Sequence, residues 1–369
     1  MPRAVLIAAR RTPVAPRGGA LARIDAPELA AHAARACLAD AALPADAVDE
    51  LILANALGAG GNPARLAALA AGLPERVGGL TIDRQCTGGL DALLLAAALV
   101  ETGRATTILA GGAESFSRRP LRLATDPDGG APKPYLRPRF SPDPARDPEM
   151  HEAANALGQP RAAQDAYTAA SHARALAAPP LPEIAPLEGL AADPYARALS
   201  PALLARAKPL AGDVTAANTA PEADAAALLL VTTEDHARAL GRPALAIGPS
   251  AMLGGDPAQP GLAPVAAIRA VLAKASLAPD MLGQVELMEA FAAQALATLE
   301  ATGLPAARTN PQGGALARGH PIGASGAVLA CRLFHALTAP DLPGEGPTTG
   351  LAAIAAAGGL GTAALFTRL

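Results

Sequence analysis

Two stretches hold the residues whose types and setting suit covalent chemistry: DRQCTGGLDALLLAAAL around Cys86, and GHPIGASGAVLACRLFHAL around His320. Each sets a reactive side chain beside a glycine-bearing turn that runs into an apolar helix. A cysteine attacks as its thiolate. The free N–H groups and positive dipole end at a helix start favour that anion, and a nearby imidazole can take the proton. Local sequence gives Cys86 the helix start and leaves two readings open, a small core residue or a nucleophile. His320 lies among glycines, where a ligand can approach without steric cost. Cys37 in HAARACLADAAL and Cys331 in GAVLACRLF fall mid-helix and read as buried small hydrophobes. His32, His172, His236 and His335 lie in Ala-rich helical patterns and read as surface or packed residues. His151 follows a proline-rich excursion from which it could reach a site.

The elements that must position these residues come in two copies. VLIAA at 5–9 reads as a buried strand, PELAAHAARACLADAAL from Pro27 as a helix with proline in its first turn, and DELILANA as a strand. Pro264 then opens PVAAIRAVLAKASL, and VELMEA follows as a strand. Leu51 and Val285, which open the matching strands, are 234 positions apart. A repeat of this size implies two βα-rich halves related by a pseudo-twofold. The same offset carries Cys86 onto His320. Residues 118–213 change character: RRPLRLATDPDGGAPKPYLRPRFSPDPARDPEM is rich in proline and charge, and the helix PRAAQDAYTAASHARAL follows. This region reads as an inserted loop domain covering a site, with a disordered linker as the bland alternative. Its PKP and RPR pieces could contact a substrate phosphate. The expected division is 1–117 with 214–245 as the N-terminal half, 118–213 as the insert, and 246–369 as the C-terminal half.

Composition bounds the function. At 369 residues, 51% hydrophobic, the chain readily builds a large α/β body, but only 2% are aromatic, so the interior must pack from small side chains. A formal charge of −3 with dispersed Lys and Arg gives no argument for nucleic acid or an anionic membrane. Three cysteines fit neither a disulfide framework nor a metal ligand set. MPRAVLIAARRTPVAP has a strand's worth of apolar residues and does not read as a signal peptide. The longer Ala-rich runs read as buried helices, not membrane spans. The expectation is a soluble protein of a reducing compartment, the cytoplasm.

At this point the residues carry a resemblance to the thiolase family of acyl-CoA acyltransferases, over almost the whole chain. RRTPVAPRGGALARIDAPELAA resembles the family's opening segment, and GGNPARLAALAAGLP its dimer-side stretch. DRQCTGGLDALLLAAALVETGRATTILAGGAESFSRRP resembles the nucleophile block, VTAANTAPEADAAALLLV the segment bordering the pantetheine, and TNPQGGALARGHPIGASGA the histidine block. LAAIAAAGGLGTAALF stands where the family has its final glycine-rich block. The resemblance implies a duplicated five-layered αβαβα fold with an inserted loop domain. It also implies Cys86 acylated by a CoA thioester, His320 as the activating base, and an oxyanion hole from the N–H groups of Cys86 and Ala357. By the same resemblance the protein is a homodimer or homotetramer, takes acyl-CoA with coenzyme A as substrate or product, and has no metal and no permanently bound cofactor.

Three departures from the family pattern stand out. The second cysteine of the final block is replaced by Ala355, which has no proton to exchange with an acyl α-carbon or a leaving CoA. In Met288-Glu289-Ala290-Phe291 a thioether replaces the polar residue that helps hold a carbonyl oxygen. Ala220 falls where a serine often contacts pantetheine. Loss of a positioned acid/base costs about 10²–10⁴-fold, and loss of an oxyanion donor about 10²–10³-fold. Both losses fall on the carbon–carbon step and leave the acylation step intact. The expected activity is therefore a thiolase-type acyl transfer: thiolysis of a 3-oxoacyl-CoA or the reverse Claisen condensation. The alternatives are an acyl-enzyme that passes its group to water, a carrier or another non-carbon acceptor, and a non-catalytic CoA-binding scaffold subunit.

Overall fold

The structure, a computed structural model, describes residues 2–339 and 348–369. In chain order its main elements are strand β1 (Ala4–Arg11), helix α1 (Ala26–Ala41), β2 (Glu50–Ala54), α2 (Pro63–Ala70), β3 (Leu80–Ile82), α3 (Gly88–Glu101) and β4 (Thr107–Ser115). After the proline-rich excursion come α4 (Met150–Asn155), α5 (Arg161–Ala177), β5 (Ala223–Thr233) and β6 (Leu245–Gly254). The second half continues with α6 (Ala263–Ala275), β7 (Gln284–Leu287), α7 (Ala292–Thr302), α8 (Ile322–Thr338), β8 (Thr349–Ala356) and β9 (Leu360–Arg368).

The strands run in the order β7-β8-β9-β6-β1-β5-β4-β2-β3, with the two-residue Ala15–Pro16 pairing beside β5. Read outward from the β6–β1 junction, each side has two antiparallel pairings and then a parallel one, and the N-terminal side adds β3 as a further parallel strand. The junction itself is narrow, Val5 against Ala246 and Leu6 against Leu245. This mirror order is the internal duplication in three dimensions, and Leu51 and Val285 sit on the equivalent strands β2 and β7. The duplication reaches single backbone angles. Ala42 caps the end of α1 and Ser276, 234 positions later, that of α6, and both caps are left-handed, with φ of 51° and 52°.

Three hydrophobic cores hold five layers together, the middle one reaching strands of both halves. The outer N-terminal core packs α1 on β1, β2 and β5, with Leu29, Leu51 and Leu228 fully buried. The outer C-terminal core packs α6 on β7, β8 and β9 through Ile268, Val285 and Leu351. Between the two halves lies a third core holding α3 and α8, with Leu90, Leu93, Leu329 and Leu333. The layers are therefore helix, sheet, helix pair, sheet, helix. The aromatic-poor composition is met by close approach: a Cβ added at Gly326 of α8 would stand 2.5 Å from the backbone nitrogen of Leu90 in α3. Only glycine lets the two helices lie that near.

The excursion between β4 and β5 holds a hairpin (Arg122–Ala124 with Lys133–Tyr135), α4 and α5. Buried ion pairs fasten it to the body. Arg11 of β1 contacts Asp193 at 2.7 Å and Glu183 at 3.2 Å, and Arg332 of α8 contacts Glu183 at 3.1 Å and Glu286 at 2.8 Å. Such pairs add little net stability but fix register, since either partner alone would be a buried uncompensated charge.

Candidate active site

Cys86 stands between β3 and α3 on a single 3₁₀ turn, Gln85–Thr87. Gln85, the residue before it, is left-handed with φ 52°, a costly angle for a non-glycine residue. Asp83 stabilises it by accepting from the Gln85 backbone N–H at 2.9 Å and from its side-chain amide at 3.1 Å. The turn is anchored from the other half: Asp91 of α3 accepts from Thr87 Oγ1 at 2.8 Å and from Thr362 Oγ1 of β9 at 2.6 Å. The position of Cys86 is thus set by both halves of the duplicated fold.

His320 precedes α8, and its backbone N–H donates to the Pro221 carbonyl at 2.8 Å. Its Nε2 lies 3.2 Å from Cys86 Sγ, and its Nδ1 lies 2.7 Å from Ser325 Oγ on the first turn of α8. An imidazole that takes the thiol proton at Nε2 must carry its own proton on Nδ1, so Ser325 accepts there and selects the tautomer. Ser325 is buried. It is the functional partner the sequence reading missed, although it lies five residues after His320 in the same motif.

The electrostatics correct one expectation. The helix start was expected to lower the Cys86 thiol, but burial dominates and pushes it up to about 12, against the opposing pull of the Cys86 and Ala357 N–H groups on the sulfur. Burial also lowers His320 to about 4. The pair therefore rests as neutral thiol and neutral imidazole. Glu114, near the pair, is raised by burial to about 7 although the N–H groups of Ala56, Leu57 and Gly323 bond to it.

A cavity of about 420 Å³ opens over this pair. Cys86, His320 and Ala355–Ala357 line it together with Ala220 and Phe291, so six of the seven predicted site residues meet there. Phe116, Phe140 and Met150 add apolar wall, and Arg119, Arg122 and Arg137 add cationic side chains. Arg137 belongs to the RPR piece and pairs with Asp147 at 2.9 Å and Glu149 at 2.8 Å. Met288 is the exception. It is 2% exposed in the central core, and its side chain borders a small separate cleft with Val14 and Ser325. A thioether has no polar partner to seek, so it packs inward. Its neighbour Glu289 is fully buried and accepts from Ser171 Oγ at 2.8 Å and Asn310 Nδ2 at 2.7 Å, which anchors the loop presenting Phe291. His151 is not among the lining residues, whereas Met150 and Ala153 beside it are. Cys37 and Cys331 are buried, as is His172. No group of three or more potential metal ligands occurs among the described residues, and no helix there is long and apolar enough to cross a membrane.

Comparison with known proteins gives matches along nearly the whole chain. The model of the thiolase N-terminal domain matches residues 4–235 and that of the C-terminal domain residues 242–368. The protein YhfS of Bacillus subtilis is 41% identical over 98% of both chains. An acetyl-CoA acetyltransferase of Pseudomonas aeruginosa is 38% identical over 99% of both. The crystal structure of the Bacillus anthracis acetyl-CoA acetyltransferase superposes with a TM-score of 0.89 at 30% identity, covering 100% of this chain and 99% of that one.

Proposed function

The chain belongs to the thiolase family and is a thiolase-type acyltransferase, and on that premise we propose that Cys86 takes its acyl group from an acyl-CoA thioester with His320 as base. One observation carries the reading: Cys86 Sγ and His320 Nε2 stand 3.2 Å apart at a cavity that Ala357 also lines. In the reaction the thiol proton passes to Nε2 as sulfur attacks the thioester carbon. The developing oxyanion is received by the N–H groups of Cys86 and Ala357, and the imidazolium returns the proton to the departing CoA sulfur. Fixed donors near the reacting atoms need no reorganisation as charge develops. Coenzyme A is substrate or product in this scheme. The division into two halves with 118–213 as an insert is part of the same proposal, because Arg119, Arg122, Arg137 and Phe140 all come from that segment to the cavity.

A second reading concerns the fate of the acyl group. Thiolysis of a 3-oxoacyl-CoA, and the condensation that reverses it, require a proton donor or acceptor at the acyl α-carbon. Ala355, a methyl, stands at the cavity in that position of the motif, and Met288 is turned away. This favours return of the acyl group to a thiol over attack by carbon. Incubating the protein with acetyl-CoA and isotopically labelled CoA measures thiol exchange directly, and acetoacetyl-CoA with CoA measures carbon–carbon cleavage. Exchange that outruns cleavage by about 10²-fold or more supports this reading, as expected for loss of one positioned acid/base. Equal rates would overturn it, and the absence of any exchange would sink the acyl-enzyme itself.

A further inference from the structure

The cavity walls also bear on which acyl group Cys86 takes, resting on the acyl-enzyme reading above. At two positions of the site motifs the expected polar side chain is absent. Ala355 lines the cavity as a methyl, and Met288 is buried in the central core beside a different cleft. Ala290, Ala356 and Ala357 add further methyls to the same cavity.

The strand pairing fixes where the Ala355 methyl points. Ala355 lies directly opposite Gly361 across β8 and β9, so both face the same side of the sheet. A Cβ at Gly361 would stand 2.2 Å from the Ala263 carbonyl oxygen, so glycine there seats the start of α6, and the turn Pro260–Leu262 before it, against that face. Pro260 and Gly261 of this turn line the cavity together with Ala355. The recess between them is walled by backbone and short side chains, and a larger residue at 355 would fill it. Gln294 packs beside Gly261. Its amide accepts from the Ala290 N–H and donates to Thr298 Oγ1, each at 3.3 Å. None of these groups can take a proton from an acyl α-carbon.

Thiol exchange needs no such proton. An acyl group with few or no α-hydrogens can undergo it, and methyl walls favour apolar substituents over the thiol or hydroxyl that would otherwise stand there. We infer that the site takes acyl groups branched at the α-carbon, with isobutyryl as the type and pivaloyl as the fully substituted limit, and exchanges them between CoA thiols. Cys86 Sγ attacks the thioester carbon as its proton passes to His320 Nε2, the carbon–sulfur bond to CoA breaks, and the leaving sulfur takes the proton. An incoming CoA thiol gives its proton to Nε2 and its sulfur forms the new thioester. The bond to Cys86 then breaks and the proton returns to Sγ. No bond at the α-carbon changes, and no oxidant, reductant or further co-reactant enters.

The test follows exchange of isotopically labelled CoA into acetyl-, propionyl-, isobutyryl- and pivaloyl-CoA by the full chain. Each rate is divided by the uncatalysed exchange of the same thioester, which removes its intrinsic reactivity. The normalised kcat/KM is expected to rise about fourfold for each α-methyl that enters the recess, so by about tenfold or more from acetyl to isobutyryl, and pivaloyl-CoA is expected to exchange. Ala355→Val, which fills the recess, should lower the isobutyryl-to-acetyl ratio by about tenfold. A ratio taken within one preparation does not depend on how much of the variant is folded. Isobutyryl exchange no faster than acetyl after normalisation, no exchange with pivaloyl-CoA, or a ratio untouched by Ala355→Val overturns the inference, while acetyl exchange keeps the acyl-enzyme in place. Absence of exchange with all four thioesters overturns the underlying reading instead, and this inference with it.

Discussion

Replacing His320 with alanine gives a loss whose size and pH dependence both follow from the geometry. With the Cys86 thiol pushed up to about 12, about one molecule in 10⁵ is thiolate at pH 7. On the proposed mechanism the native protein avoids that penalty because His320, 3.2 Å away, removes the proton during attack. Its imidazole, lowered to about 4, is neutral and ready throughout the range above pH 5. Without it, acylation depends on spontaneous ionisation. Water entering the vacated space relieves burial and brings the thiol back toward its ordinary value of 9.0, which leaves about one thiolate in 10² at pH 7. The expected loss in acylation rate is therefore between about 10² and 10⁵-fold, consistent with removal of a general base. Quenched-flow intact-mass measurement with acetyl-CoA from pH 6 to 9 reads it. The native rate should be flat, since both groups titrate outside that window, while the His320→Ala rate should climb about tenfold per pH unit. A loss under tenfold, or a variant rate independent of pH, would refute the neutral-pair argument.

Ser325→Ala removes the acceptor that holds His320 Nδ1–H, so acylation should slow about five- to tenfold, the worth of one hydrogen bond, with KM nearly constant. An unchanged rate would show that the tautomer is set elsewhere. Ala355→Cys puts an ionisable group at the missing position and should raise acetoacetyl-CoA thiolysis relative to thiol exchange by tenfold or more; an unchanged ratio would mean that other walls of the cavity block the carbon reaction. Gly326→Ala forces α3 and α8 apart where the added Cβ would stand 2.5 Å from Leu90 nitrogen. It should destabilise the fold by about 1–3 kcal/mol in denaturant titration, and an unaltered midpoint would show that the helix pair yields freely.

The duplication was legible because it is written in element starts: prolines at the heads of α1 and α6, and apolar runs at β2 and β7. It extends to the fixed offset that pairs Cys86 with His320. Local chemistry could not give the state of that pair. A helix start argues for an anion, but burial is a property of the whole fold, and here it outweighs the local field. Met288 was misplaced for a related reason. A motif position says which loop a residue belongs to, while side-chain direction depends on which face of that loop finds a partner. Ser325 was readable in principle, since a hydroxyl on the first turn after His320 is within reach of Nδ1. The hairpin Arg122–Ala124/Lys133–Tyr135 was not read because proline and charge mark an irregular segment without showing where it pairs.

The central claim is that Cys86 carries the acyl group. Intact-mass measurement after mixing the protein with acetyl-CoA, followed by peptide mapping, tests it most directly. The account expects one added acetyl group per chain, located on the peptide containing Cys86, removed by added CoA, and absent in Cys86→Ala. An acetyl group that persists in Cys86→Ala, or no adduct in the native protein, would contradict it.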